Sequence, residues 1–83
     1  MSNHSGSYML NEVLEIVMEK QIIKLEEKEK FRDFALELLE LGRHYDCNDG
    51  EILDGIGEKI GLCYCCLEAT EDIEDGICKK CRD

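Results

Sequence analysis

Six of the 83 residues are cysteines, and four of them, Cys63, Cys66, Cys78 and Cys81, form two Cys-x-x-Cys pairs separated by eleven residues. Two such pairs, each entering from a tight turn, give the closed tetrahedral thiolate shell in which structural Zn²⁺ is held. The spacing predicts two knuckles sharing one zinc ion. Iron in a rubredoxin-like site uses the same four sulfurs, although Leu67 and Arg82 stand where such knuckles carry Gly and Pro. That leaves a redox or metal-handling role as an alternative. A disulfide framework is a third use of six cysteines, but paired spacing suits metal better, and Met1 to Tyr8 has neither the basic nor the apolar segment of an export signal. A reduced, cytoplasmic setting is expected.

Two cysteines are left over. Cys65 lies inside the first knuckle, where it competes with its neighbours as a ligand, though the two-residue spacing favours the outer pair. Cys47 follows His44 in an HxxC pattern and reads best as a small residue at a helix–loop junction. Four thiolates leave no open metal position for water, and the chain has no Ser-His-Asp set or Gly-rich phosphate loop, so no catalytic role is expected.

Charge narrows the partners. Twenty acidic residues against ten basic ones give a net charge of −10, and residues 46–83 carry eleven acids against four bases. Between the cysteine pairs, Glu68, Glu71, Asp72, Glu74 and Asp75 make an anionic tip with no basic residue, and Asp75-Gly76 supplies a tight turn for a minimal β-hairpin. Lys79, Lys80 and Arg82 are too few for tight phosphate contact. Direct nucleic-acid or transcription-complex binding through the zinc module is the weaker alternative to steering towards a basic protein surface.

The elements that must position the cysteines are mainly helical. Residues 1–7 are small and polar and read as a flexible leader that includes His4. From Tyr8 to Leu41 there is no Gly or Pro. Leu10, Val13, Leu14 and Val17 make one helical stripe, and Phe31, Phe34, Leu38, Leu41 and Tyr45 make another. The heptad phase of the first puts Lys20, Lys24 and Glu27 in the seam, so a helical hairpin over residues 8–45 is favoured over one long helix. It would run from Tyr8 to Ile23 and from Glu26 to His44, turning near Lys24 and Leu25, with Gly42 loosening its end. Residues 46–61 read as a short third helix and connector, in which Asn48 and Glu51 resemble a capping box and Ile52, Leu53, Ile56 and Ile60 share a face. Gly55 and Gly57 weaken that helix by roughly 1 kcal/mol each relative to Ala. Residues 62–83 are the zinc-knuckle, zinc-ribbon-like module.

The first helix carries more apolar side chains than one partner helix can cover. Packing by the third helix and zinc module, a homodimer, or a captured protein partner would cover the surplus. The candidate partner surface is Ile16, Val17, Met18, Ile22 and Ile23, with charge recognition by Glu71, Asp72, Glu74 and Asp75. No apolar run approaches the ~18 residues of a membrane span.

The combination of helices with one four-cysteine module resembles small bacterial and phage regulators. Cys63, Cys66, Cys78 and Cys81 match the two pairs of Gin-type anti-sigma factors, whose interval between pairs is longer. A helical segment ahead of such a module is similar to the DksA and TraR group, which acts on RNA polymerase; its Asp-x-x-Asp-x-Ala tip motif has no counterpart here. The closed metal shell, the acidity and the surplus apolar helix face together point to a non-enzymatic, zinc-stabilised adaptor or inhibitor, and the resemblance implies a regulatory or transcription protein as its target.

Overall fold

The structure, a computed structural model, describes residues 3–70, 72–74 and 76–82. Helix α1 spans His4–Glu19 and α2 spans Lys28–Arg43; two single-turn helices follow, α3 at Asp49–Ile52 and α4 at Gly57–Ile60. An antiparallel pair of two-residue strands, β1 (Ile73–Glu74) and β2 (Ile77–Cys78), leads into a last helical turn, α5, at Lys79–Arg82. The fold is mainly helical with the cysteines gathered at its C-terminal end, as the sequence predicts.

The first helix begins earlier than expected. Asn3 caps it, its side-chain oxygen accepting the Gly6 N–H at 2.9 Å, so residues 4–7 are helical rather than a leader. These small polar residues are held because they complete hydrogen bonds of the segment after α2. The Asn3 N–H donates to the Asp46 carbonyl at 2.6 Å. Ser7 is buried, and its hydroxyl accepts the Asn48 N–H at 2.7 Å while donating to the Asn3 carbonyl at 2.9 Å. His4 Nδ1 lies 2.7 Å from the Glu51 carboxylate.

The hairpin forms, joined by residues 20–27, and the single-helix alternative falls. Its first turn comes at Gln21, three residues before the predicted place. Gln21 takes φ +54°, the Ile22 N–H donates to the Val17 carbonyl at 3.1 Å and the Gln21 N–H to the Met18 carbonyl at 3.2 Å. This is the glycine-type helix stop built without glycine. The end of α2 repeats it: Asp46 takes φ +60° and the Cys47 N–H donates to the Gly42 carbonyl at 2.9 Å. Gly42 itself stays helical, and it serves packing. A Cβ there would come within 2.9 Å of Ile52 Cδ1 and 3.1 Å of Leu10 Cδ1, so the missing side chain lets α2 approach α1 and α3.

The core is built from Leu10, Leu14 and Val17 of α1, Phe31, Ala35 and Leu39 of α2, and Ile52, Leu53, Ile56, Ile60 and Leu62 from the short helices and the strand-like residue beyond them. The shared face of Ile52, Leu53, Ile56 and Ile60 is as predicted, but one helix becomes two, broken at Gly55 with φ +73°. Only half of the capping box forms. Asn48 accepts the Glu51 N–H at 3.1 Å, while the Glu51 carboxylate turns to His4. On α2 the packed face is Phe31, Ala35, Leu39 and Gly42. Phe34 and Leu38 are only half-buried and Leu41 and Tyr45 are exposed, so most of the predicted α2 stripe lies beside the core face rather than on it.

One polar residue ties the layers. Buried Asn11 donates through its side-chain amide to the carbonyls of Ile52 at 2.9 Å and Asp54 at 2.8 Å, closing the end of α3 against α1. Replacing it by Leu strands both carbonyls, and urea denaturation should show a loss of about 1–3 kcal/mol. Gln21→Gly should do the reverse, raising stability by about 1 kcal/mol, because the left-handed backbone that a glutamine resists is free to glycine. A fall in stability for Gln21→Gly would count against this helix stop.

Candidate metal centre

The first knuckle grows directly from α4. Gly61 ends that helix with φ +72°, and the following residues pair back on it: the Leu62 N–H donates to the Gly57 carbonyl and the Thr70 N–H to the Gly61 carbonyl, at 2.9 and 2.8 Å. A Cβ on Gly57 would sit 2.7 Å from the Leu62 carbonyl oxygen and one on Gly61 2.6 Å from that of Thr70. Both glycines are there for backbone approach. Cys63 to Leu67 then fold into a tight loop in which the Leu67 N–H donates to the Cys63 carbonyl at 2.8 Å and Leu67 takes φ +59°. This is the place where knuckles commonly carry Gly. Leu67 adopts the strained backbone while its side chain packs against the core, which offsets part of the cost.

The second pair comes from the hairpin and α5. Cys78 ends β2 opposite Ile73, Gly76 turns the chain with φ +85°, and Cys81 projects from α5 one helical turn after Cys78. Tyr64 braces the turn: its N–H donates to the Gly76 carbonyl at 3.2 Å, and its ring would meet a Cβ on Gly76 at 2.9 Å. Arg82 binds the module to itself, donating to the Ile77 carbonyl at 3.0 Å and pairing with Asp72 at 3.2 Å and Glu74 at 3.9 Å.

All four predicted ligand sulfurs lie within 4.8 Å of one another. Cys63 and Cys81 are 3.7 Å apart, Cys66 and Cys78 3.7 Å, and Cys78 and Cys81 3.6 Å. A tetrahedral shell with bonds near 2.3 Å has sulfur–sulfur edges of about 3.8 Å, whereas a disulfide requires about 2.05 Å. The cluster has the size of a metal shell, and all six cysteines are free thiols. Cys63 and Cys78 are buried, Cys81 is half-buried and Cys66 faces solvent.

Backbone amides aim at the sulfurs. Burial opposes ionisation of Cys63, but the N–H groups of Cys66, Cys78 and Cys65 donate to its sulfur and bring its pKa down to about 6; the Cys78 bond is 3.3 Å long. The Glu68 amide favours a thiolate at Cys66, yet burial and hydrogen bonds with Cys63 and Cys78 outweigh it and raise the thiol. Hydrogen bonds with Cys65 and Cys78 likewise hold the proton on Cys81. One sulfur ionises, and hydrogen bonds within the cluster keep the proton on its neighbours Cys66 and Cys81. A dication at the centre reverses that logic and deprotonates the coordinating thiols.

The remaining predicted site residues divide. Cys65 is exposed and outside the four-sulfur set. Cys47 packs half-buried at the junction after α2. Val17 is in the core and is corrected here: facing Leu10 and Leu14 on the packed stripe, it cannot belong to an open partner surface. Met18 and Ile23 are partly buried against that core, while Ile16 and Ile22 are exposed. Asp72 and Glu74 are exposed but face Arg82; Glu71 and Asp75 lie outside the described residues. Sequence reasoning missed Asn11 and Ser7, whose signal was their i, i+4 spacing on the same helix face as Leu14. Among the described residues no helix is long and apolar enough to cross a membrane. No protein-family model, curated protein or solved structure matches the chain, so the likeness to Gin-type and DksA/TraR regulators rests on the four cysteines alone.

Substitution separates the five neighbouring thiols. Cys78→Ser should abolish stoichiometric metal binding and the cooperative unfolding of residues 61–82, read by native mass spectrometry and hydrogen exchange. Cys65→Ser should keep one metal per chain. Loss of metal in Cys65→Ser would place that thiol in the shell.

Proposed function

We propose that the chain is a non-enzymatic, zinc-stabilised interaction module, an adaptor or inhibitor that holds a regulatory or transcription protein through its helical surface. Zinc is favoured over iron because Leu67 and Arg82 replace the small and rigid residues of rubredoxin-like knuckles, and because four thiolates suit a closed structural site. Such a shell binds no substrate. The metal's part is then to complete a fold whose core is too small to be secure alone.

The observation that carries the reading is apolar surface left open after the core is complete. Met9 and Ile16 of α1 are 60% and 51% exposed, Leu41 of α2 is 46% and Tyr45 just past its end 65%, and Ile22 in the connector is 68%. The short helices and metal module cover one face of the hairpin, as the packing alternative requires, but they do not reach these residues. An uncovered apolar area on a strongly charged small protein marks a contact site. Direct nucleic-acid binding is disfavoured by the charge of −10 and by α1 having no Lys or Arg among its sixteen residues.

Affinity capture from nuclease-treated bacterial lysate tests this. One stoichiometric protein should be retained by the metal-loaded chain and lost with Ile16→Asp, whose metal content and circular dichroism stay unchanged. A central contact of this kind weakens binding by about 2 kcal/mol or more, roughly thirtyfold. Recovery of the bait alone would overturn the adaptor reading.

A further inference from the structure

We propose that the seam between α1 and α2 is a docking groove for a basic amphipathic helix of a partner protein, an inference that rests on the interaction-module reading above. On α1, Met9, Val13 and Ile16 recur at i, i+4 and i+7, one face round from the packed Leu10, Leu14 and Val17. On α2, Phe34, Leu38 and Leu41, continued by Tyr45 just past the helix end, form the matching stripe beside Phe31, Ala35 and Leu39. The helices run antiparallel: the connector joins one end, and at the other Leu10 meets Gly42. The stripes meet at that open end, where between Met9 and Leu10 on one wall and Leu41 and Tyr45 on the other lies a cavity of about 190 Å³.

Charge selects the occupant. Glu12 and Glu19 stand one turn before and after Ile16 on the outer flank of α1. Asp33, Glu37 and Glu40 recur at i, i+4 and i+7 along the outer flank of the α2 stripe. All five are exposed, and none forms an ion pair with another described residue. An apolar floor between two carboxylate rails fits a helix with one apolar face and Lys or Arg on both flanks. A second copy of this chain fits badly, because it would set rail against rail in molecules already carrying −10 each. From Phe34 to Tyr45 the stripe is about 16 Å long, which three turns of an incoming helix would cover.

The test titrates the full-length, metal-loaded chain with an amidated 14-residue peptide of leucine and lysine at helical spacing, and with a scrambled isomer of the same composition. Calorimetry should give a Kd at least tenfold lower for the amphipathic peptide, rising with salt, and amide shifts should concentrate at Met9, Val13, Leu38 and Leu41. The double variant Ile16→Ser/Leu41→Ser should lose at least tenfold while keeping its metal and circular dichroism. A second variant, Glu12→Lys/Glu37→Lys, should lose the lysine peptide and gain affinity for its glutamate counterpart, a swap that damage to the fold cannot produce. Equal binding of the two isomers, shifts confined to residues 68–74, or a dimer in sedimentation equilibrium that Leu41→Ser dissolves would overturn the groove. A lysate protein held equally by the wild type and the double serine variant would sink the groove and leave the module reading intact.

Discussion

Four sulfurs within 4.8 Å of one another set the terms for the last quarter of the chain. Left to themselves they cannot all ionise: Cys63 drops to about 6 while Cys66 and Cys81 are held protonated. Beyond backbone hydrogen bonds and the contacts of Arg82, apolar support for this region is slight. Two strands of two residues each are far below what stands alone in water, and among the described residues Leu62 and Leu67 carry its apolar contact with the helical core. Closing a metal shell across Cys63 and Cys81 would supply what hydrophobic burial does not. The glycines at 57 and 61, each touching a backbone carbonyl, bind that closure to α4 and so to the core.

The cysteine spacing made this centre legible, since each two-residue interval lets both sulfurs of a pair face one point, in a tight loop at Cys63 and Cys66 and in a helical turn at Cys78 and Cys81. The helical hairpin was legible from a stretch without Gly or Pro and from its broken heptad phase. Its turns were harder to read. Gln21, Asp46 and Leu67 all take positive φ, and none is a residue whose presence announces a left-handed stop. In each case the neighbours impose the conformation: two carbonyls near the end of α1 capture the amides of Gln21 and Ile22, the Gly42 carbonyl captures the Cys47 amide beyond Asp46, and the core captures the Leu67 side chain. The start of α1 was misread for a related reason. Asn3 and Ser7 appear idle in the sequence and acquire their partners, Asp46 and Asn48, only when a segment some forty residues away returns.

The hydrophobic stripes teach a narrower lesson. Periodicity identified both helices correctly, and it also identified residues that could pack. It did not say which of two adjacent apolar faces would. On α2 the packed face is the one with Phe31, Ala35, Leu39 and Gly42, and at Gly42 the missing side chain admits Ile52 and Leu10 closely. Asn11 then fixes the register from the α1 side, since its amide reaches the carbonyls of Ile52 and Asp54 together.

That choice has a consequence for function. With α3 and α4 packed on the face containing Gly42, the chain leaves Met9 and Ile16 of α1 and Leu41 of α2 exposed beside that face, while Val13, Phe34 and Leu38 stay half-buried between. The seam's width is set by the contact of Leu10 with Gly42, which Ile52 shares. Ile52, Ile56, Ile60 and Leu62 form one continuous buried run from that contact to Cys63, adjoining Phe31 and Leu14 in the same core. A metal shell closing at the end of this run would therefore stiffen the hairpin from behind. A groove whose walls are already spaced costs an incoming helix less ordering than one that must form around it. In the proposed groove, a metal held by the four cysteines would act on binding in this way without touching the incoming helix.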